Sequence, residues 1–303
     1  MKNQRGMALI IALMLVAMAT LVAATLTFNL KLDQRRTLSL LTTQQSRQLA
    51  LAAESWAAEI LRDDLNNSST DHLGEEWAMQ LPPVPAEGFL VQGLLEDMQG
   101  HFNLNNLVGP DGKVNEGQLA QFQRLLVALQ IDPRLAGIMS DWIDPDTQGG
   151  FPDGAEDDYY TGSDIPYRTP NTYITALTEL QAVQGVDDEI FRKLMPYVSA
   201  LPNGTQLNVN TAPPPVLQSL SETMDIFQAE TLAAEAAEEG FPDLQSFQTL
   251  VEEDALQTLT LSSDYFRLTV RVTIGTYSLT MYSLLFRDPA GQVRPLLRTF
   301  GSI

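Results

Sequence analysis

The chain has 303 residues, 44% of them apolar, and 38 acidic against 18 basic side chains give it a net charge of −20. That length and apolar content suffice for one large core or two ordinary ones, and the charge repels phosphate backbones, so nucleic acid is excluded as a partner. Cysteine is absent and only two histidines occur, His72 and His101, which removes disulfides, thiolate chemistry, Cys-held zinc or iron and most His-based catalysis; both histidines read as surface or loop residues.

The charge is unevenly placed. Lys2, Arg5, Lys31, Arg35 and Arg36 face Asp33 alone within the first 36 residues, and the remaining 13 basic groups face 37 acidic ones, a balance of −24. No charge falls between Gly6 and Leu30. As an α-helix, Met7 to Leu30 reaches roughly 36 Å, enough to cross a hydrocarbon layer of about 30 Å with some tilt. A cleaved secretory peptide has an apolar region of only about 7–15 residues. Lys2 and Arg5 before the run hold the short N-terminus in the cytoplasm and send the bulk across the inner membrane, and Lys31, Arg35 and Arg36 stand just past its far end. Met1-Lys-Asn-Gln-Arg-Gly6 against Met7-Ala-Leu-Ile-Ile resembles a type IV prepilin leader. That resemblance implies removal of residues 1–6 by a prepilin peptidase between Gly6 and Met7, followed by methylation of the new amine. Family members usually carry Glu at the fifth mature position, where its carboxylate meets the amine of the preceding subunit; Ile11 stands there instead. A buried carboxylate in a bilayer is costly without a partner, so Ile11 points to a subunit with no predecessor.

Beyond the apolar run, Leu38, Leu41, Leu49, Ala53, Trp56 and Ile60 recur at helical spacing, so the helix continues as an amphipathic one over 31–65. Asn66-Asn67-Ser68-Ser69 stops it and 66–86, with three prolines, reads as a loop. Strands are expected at Gly88–Glu96 and His101–Asn105, and at Tyr265–Ile274, Ser278–Arg287 and Val293–Phe300. Segments 88–114 and 260–303 then form a small antiparallel sheet for the long helix to pack on. The inserted segment 115–259 is mainly helical: Glu116–Gln130, Arg134–Trp142, Asn171–Gln181, Asp187–Leu201, Pro214–Leu220, Ala229–Gly240 and Leu244–Gln257. Phe102-Asn-Leu-Asn-Asn106, just before it, is echoed 105 residues later by Leu207-Asn-Val-Asn-Thr211. These asparagines read as helix caps, and the helices after the second motif as a packing unit, since the acidic neighbours do not suit a DNA-binding hairpin of helices.

From Asp141 to Asp158, seven carboxylates occur in 18 residues without a Lys or Arg. Such a loop is either solvated or folded around a cation. Asp144-Pro-Asp-Thr-Gln-Gly149 matches the first half of an EF-hand loop, but position 12 is Ala155, with the acid one residue late at Glu156. Hard oxygens without paired Cys or His suit calcium better than zinc or copper. Asp144, Asp146, Glu156 and Asp157 are the candidate ligands, Asp153 and Asp158 candidates for a second ion, and Asp141 a cap or surface charge. No G-x-S-x-G, H-E-x-x-H or P-loop occurs; a membrane-anchored hydrolase has only the acidic cluster in its favour.

Taken with the Gly6 leader, Phe102-Asn-Leu-Asn-Asn-Leu107, Asp141-Trp-Ile-Asp144 through Gly154-Ala-Glu-Asp-Asp-Tyr-Tyr160, Pro166-Tyr-Arg168 and Leu207-Asn-Val-Asn-Thr-Ala-Pro213 resemble, in order and spacing, the K minor pseudopilins of type II secretion. The resemblance implies an α+β pseudopilin fold with a large helical insert, bound calcium near the acidic segment, and a non-enzymatic role at the pseudopilus tip. It also implies assembly with the I and J minor pseudopilins and contact with other pseudopilins. A minor pilin of a type IV pilus, working in adhesion or DNA uptake, is the rival within the same fold.

Overall fold

The computed structural model describes residues 4–80, 82–86, 88–150, 153–162 and 166–301. Of the leader-like segment, residues 1–3 lie outside these, as do Phe151 and Pro152 of the acidic loop. Helix α1 (Gln4–Asn67) is unbroken over 64 residues, about 96 Å at 1.5 Å per residue. Every residue from Met7 to Leu41 is exposed; this stretch contains an apolar helical window of mean hydropathy 2.7, sufficient by length and composition to cross a membrane. Farther on, Ser46, Ala50, Glu54, Ala57 and Leu61 are buried, steps of three and four residues that trace one helical face. The segment after α1, expected as loop, holds a 3-10 turn at Glu76–Ala78 and the short strand β1 (Val84–Ala86), followed by β2 (Phe89–Asp97).

The chain then enters the insert. Strand β3 (Phe102–Asn103) ends in a 3-10 turn at Leu104–Leu107, so the strand expected over 101–105 is only two residues long. Helices α2 (Glu116–Ala128), α3 (Leu135–Ile143) and α4 (Asp157–Tyr160) follow. The helix expected over 171–181 is a 3-10 turn at Leu177–Ala182; the Glu179 carboxylate takes the Thr175 and Ala176 N–H groups and the Thr175 hydroxyl, which starts the turn late. The one expected over 187–201 stops as α5 (Asp188–Leu194), because Pro196 breaks it, and continues as β4 (Val198–Ser199). Strand β5 (Leu207–Asn208), helices α6 (Pro214–Ser219), α7 (Ile226–Glu239) and α8 (Glu253–Leu256), and β6 (Leu259–Thr260) complete the insert. Only a 3-10 turn and α8 occupy the helix expected over 244–257.

The sequence echo is a structural repeat. Strands β3 and β4 pair in parallel, Phe102 opposite Val198, and β5 and β6 do the same, Leu207 opposite Leu259. In the first unit Asn105 Nδ2 donates to the Ile174 carbonyl while its Oδ1 accepts the Ile174 N–H, at 2.9 and 2.8 Å. In the second, Asn210 grips the Phe241 N–H and carbonyl in the same manner. Each amide thus acts as a one-residue strand for the backbone of a distant residue. Asn103 does accept the Asn105 N–H as a cap, but Asn105 and Asn210 are clamps between distant segments, which corrects the reading of these asparagines as caps. The units share one core that includes Phe102, Leu104, Phe122, Leu125, Met139, Trp142, Val198, Val209, Val216, Leu217 and Phe247.

Strands β7 (Tyr265–Ile274), β8 (Tyr277–Arg287) and β9 (Val293–Phe300) close an antiparallel sheet in the order β1-β2-β7-β8-β9. Alternate residues Phe266, Leu268, Val270 and Val272 of β7 face α1 and are buried with Ala50, Ala57, Leu61, Trp77, Phe89, Leu95, Met281 and Leu285. Buried Glu54 holds the helix to the far strands through the Ser283 hydroxyl and the Arg298 guanidinium.

The two ends of this sheet differ. At one, the Tyr277 hydroxyl meets Thr43; at the other, Arg287 donates to the Leu61 carbonyl, 18 residues farther along α1 from the apolar run. The insert leaves and rejoins at the Arg287 end. There Asp97 accepts from the Gln99 N–H, Asn208 Nδ2, the Thr211 hydroxyl and the Ser263 hydroxyl, and Arg287 spans Asp64, Asp71 and the Ser263 carbonyl. A Cβ on Gly100 would lie 2.6 Å from the Thr211 hydroxyl, so only glycine permits this approach of insert to sheet. Both histidines lie in loop segments, as expected, though neither is fully exposed. His101 lies here, mostly buried, with Nδ1 3.1 Å from the Asp97 carbonyl; burial and then the Arg267 charge lower its pKa to about 4, so it is neutral at physiological pH. His72 packs against Gly240 with its side chain 14% exposed.

Candidate metal centre

The acidic loop is built on the end of α3. Asp141 and Asp144 are three residues apart and therefore share a helical face, and both are buried, at 1% and 6% exposure. Asp141 is neither cap nor surface charge. Its Oδ2 accepts the Gly150 N–H at 2.9 Å, folding the loop back, and the Gly154 N–H closes on the Gly150 carbonyl at 2.7 Å. A Cβ on residue 154 would lie 2.1 Å from Asp141 Oδ2, so the turn requires glycine. Asp144 and Asp146 each accept the N–H two residues on, the local turn these side chains favour. Glu156 then precedes α4, and Tyr160 from that helix stacks edge-on against Trp142 of α3 at 5.3 Å, fixing the two ends of the loop together.

The result is a cluster in which Asp144, Asp146 and Glu156 each present an oxygen within 4.8 Å of the others. Oxygens bound to one calcium at about 2.4 Å lie no more than about 4.8 Å apart, so the three fit a single ion. Glu156 Oε2 accepts the Thr169 hydroxyl, but Glu156 Oε1 is buried without a hydrogen-bond partner. Asn171, with φ of 46°, donates its Nδ2 to the Asp146 carbonyl and leaves its own buried Oδ1 unpartnered as well. A buried carboxylate oxygen and a buried amide oxygen without donors are what a hard cation would satisfy.

The electrostatics agree. Burial, reinforced by the charges of Asp146 and Asp141, pushes the Asp144 carboxyl up to about 7. Burial and the Asp141 and Asp146 charges raise Glu156 also, against the pull of Thr169, and burial raises Asp141. Arg168 pairs with Asp157 at 3.6 Å, with its own side chain exposed.

The other sequence candidates are placed differently. Asp157 Oδ1 accepts the Thr169 N–H and hydroxyl, so this residue braces the neighbouring loop segment. Asp153 packs against Gly137 of α3, facing Arg134, and Asp158 is exposed on α4; the structure brings neither into the cluster. Asn171 and Thr169 were missed, since neither stands in the acidic run. The one signal for Asn171 is its place just after Pro170, where a residue able to adopt positive φ is useful.

Asp64, Asp71 and Glu75 form a second group of comparable compactness. There Arg287 already supplies the positive charge, at 2.9 Å from Asp64 and 2.6 Å from Asp71, and Glu75 accepts from Trp77 and the His72 N–H. No oxygen there is left to a metal in the way Glu156 Oε1 is.

Two family models, both described as type II secretion system protein K, match residues 100–203 and 207–268, one over each repeat. Among curated relatives, the type II secretion system protein K of Pseudomonas aeruginosa is 33% identical over 99% of this chain and 94% of its own. The protein K of Pectobacterium carotovorum is 31% identical over 93% and 92%. The crystal structure of the GspK-GspI-GspJ complex from the type 2 secretion system of enterotoxigenic Escherichia coli contains a chain that superposes with a TM-score of 0.73 and 27% identity. The match covers 88% of this chain and 100% of that one.

Proposed function

Because this chain belongs to the type II secretion system protein K family, whose members are structural pseudopilins of a secretion machinery, we propose that it is the tip subunit of a pseudopilus. It starts or caps the fibre that drives proteins across the outer membrane, and it performs no catalysis. The observation that carries the reading is where the insert sits. It covers the end of the sheet that lies farthest along α1 from the apolar run, the side on which an earlier subunit would have to stand. A bulk of some 160 residues there leaves no room for a predecessor above it. Ile11, lacking the carboxylate that meets a predecessor's amine, agrees with the same position.

Assembly with partners of the I and J type follows from the likeness to the chain crystallised with GspI and GspJ. Met7 to Leu30 anchors the chain in the inner membrane with its bulk in the periplasm, after a prepilin peptidase has removed residues 1–6 and the Met7 amine has been methylated. The acidic loop binds calcium, held by Asp144, Asp146 and Glu156, beside Asn171, whose Nδ2 meets the Asp146 carbonyl, as a staple for a chain without disulfides; the ion draws α3 and α4 together by neutralising the crowded carboxylates.

Gold labelling of isolated pseudopili tests the position. Label at one end in low copy is expected, and label spaced along the shaft would refute the reading. Intact-mass analysis of the membrane form checks the processing: the loss should end at Gly6, whereas a mature chain beginning near residue 25 would mark an ordinary signal peptide.

A further inference from the structure

The proposed function leaves one sequence feature unexplained: three basic residues at the end of the apolar run, on the side of the membrane where the chain is otherwise strongly acidic. Lys31 directly follows Leu30, the last residue of the uncharged run, and Arg35 and Arg36 lie about 6 and 7.5 Å farther along the helix axis. The polar layer of a bilayer leaflet is about 5–7 Å deep. All three charges therefore fall at or just above headgroup level, within a Debye length of about 8–10 Å from the phosphates. Lys31 and Arg35, four residues apart, share a face of α1, with Arg36 on the adjoining one.

Among the described residues, nothing beyond one local ion pair uses them. Residues 31–41 are all exposed, and the first hydrogen bond from α1 to the sheet is at Thr43. Among the described residues, the ion pair made by this triplet is Arg36 to Asp33, 3.5 Å apart with both side chains about two-thirds exposed. The rest of the chain, at −24, is repelled by the same surface that attracts the triplet.

We infer that Lys31, Arg35 and Arg36 form a clasp for anionic phospholipid headgroups in the leaflet facing the acidic body. The clasp sets the depth of the helix, while repulsion holds the body away on the exposed stretch 37–41. This rests on the membrane-anchor reading of α1.

The test uses the full chain in nanodiscs of phosphatidylcholine with 30 mol% phosphatidylglycerol, followed by native mass spectrometry of the lipids released with the protein. Retained phosphatidylglycerol should exceed its share in the disc by on the order of tenfold. The Lys31→Gln/Arg35→Gln/Arg36→Gln variant should lose that excess, as should the wild type in 0.5 M salt, while Asp33→Asn should increase it. Equal retention by wild type and triple variant overturns the inference. So does an unchanged lipid profile in a variant that fails only to co-assemble with other pseudopilins, since the basic face would then belong to a protein neighbour. Failure of the wild-type chain to enter nanodiscs at all would instead overturn the membrane anchor on which the inference rests.

Discussion

Replacing Asp144 with Asn should separate the two states of the acidic loop. Asp144 is 6% exposed, and burial together with Asp146 and Asp141 lifts its carboxyl to about 7 from an unfolded value near 4. A carboxyl with a raised folded pKa holds its proton more tightly when folded. Its contribution is therefore present in full below about pH 4 and lost as pH rises through 7. Without calcium, the wild-type chain in detergent should melt at progressively lower temperature from pH 5 to pH 8. Calcium, if it occupies the site as proposed, should bind the ionised carboxylates and reverse this, contributing about 2.7 kcal/mol at a hundredfold excess over Kd, or roughly 5–10 °C for a folded portion of this size. The shift should be largest at pH 8 and fade by pH 5, with magnesium giving much less. Asp144→Asn keeps the shape and removes one of the crowded charges. Its calcium-free melting temperature at pH 8 should equal or exceed that of the wild type, and its calcium shift should nearly vanish. Circular dichroism at 222 nm reads the melting, and Trp142, stacked on Tyr160, gives a local fluorescence signal. A full calcium shift in the variant, or a calcium-free wild type that becomes more stable from pH 5 to 8, would refute the reasoning.

Gly154→Ala places a methyl 2.1 Å from Asp141 Oδ2 and should weaken calcium binding, by titration calorimetry, about tenfold or more while the sheet domain is unaffected. Arg287→Met leaves Asp71, 2% exposed, without its counter-charge and should cost about 3–5 kcal/mol in denaturant unfolding; adding Asp71→Asn should recover part of it, and no recovery would mean that the cost lies in the lost contact of the guanidinium with the Phe266 ring, 4.9 Å away. Asn105→Ala strips the partners from the Ile174 N–H and carbonyl and should destabilise by roughly 2–3 kcal/mol, with amide hydrogen exchange rising first around 171–176.

Features with a short repeat were legible in the sequence. The uncharged run, the Leu and Ala spacing of α1 and the alternation in β7 and β8 express local periodicities that burial on one face imposes, and they define a helix on an antiparallel sheet without reference to any distant residue. The recurrence of Phe102-Asn-Leu-Asn and Leu207-Asn-Val-Asn marked two like units. What the asparagines do was not legible, because Asn105 meets Ile174 and Asn210 meets Phe241 across long stretches of chain, and an amide pairing with a distant backbone leaves no local pattern. The same holds for the two-residue parallel strands, too short to alternate. In the acidic loop, composition and the partial EF-hand spacing singled out Asp144, Asp146 and Glu156 together with Asp153, Asp157 and Asp158. Only the fold sorted them: it buried Asp144 and Glu156 with one oxygen unpartnered and set exposed Asp146 beside them, turned Asp157 to Thr169, left Asp158 in solvent, sank Asp141 beneath Gly150 and brought Asn171 in from outside the run. Charge along a chain reads directly from its residues, whereas which charges face one another depends on backbone reversals that a few glycines and buried hydrogen bonds decide.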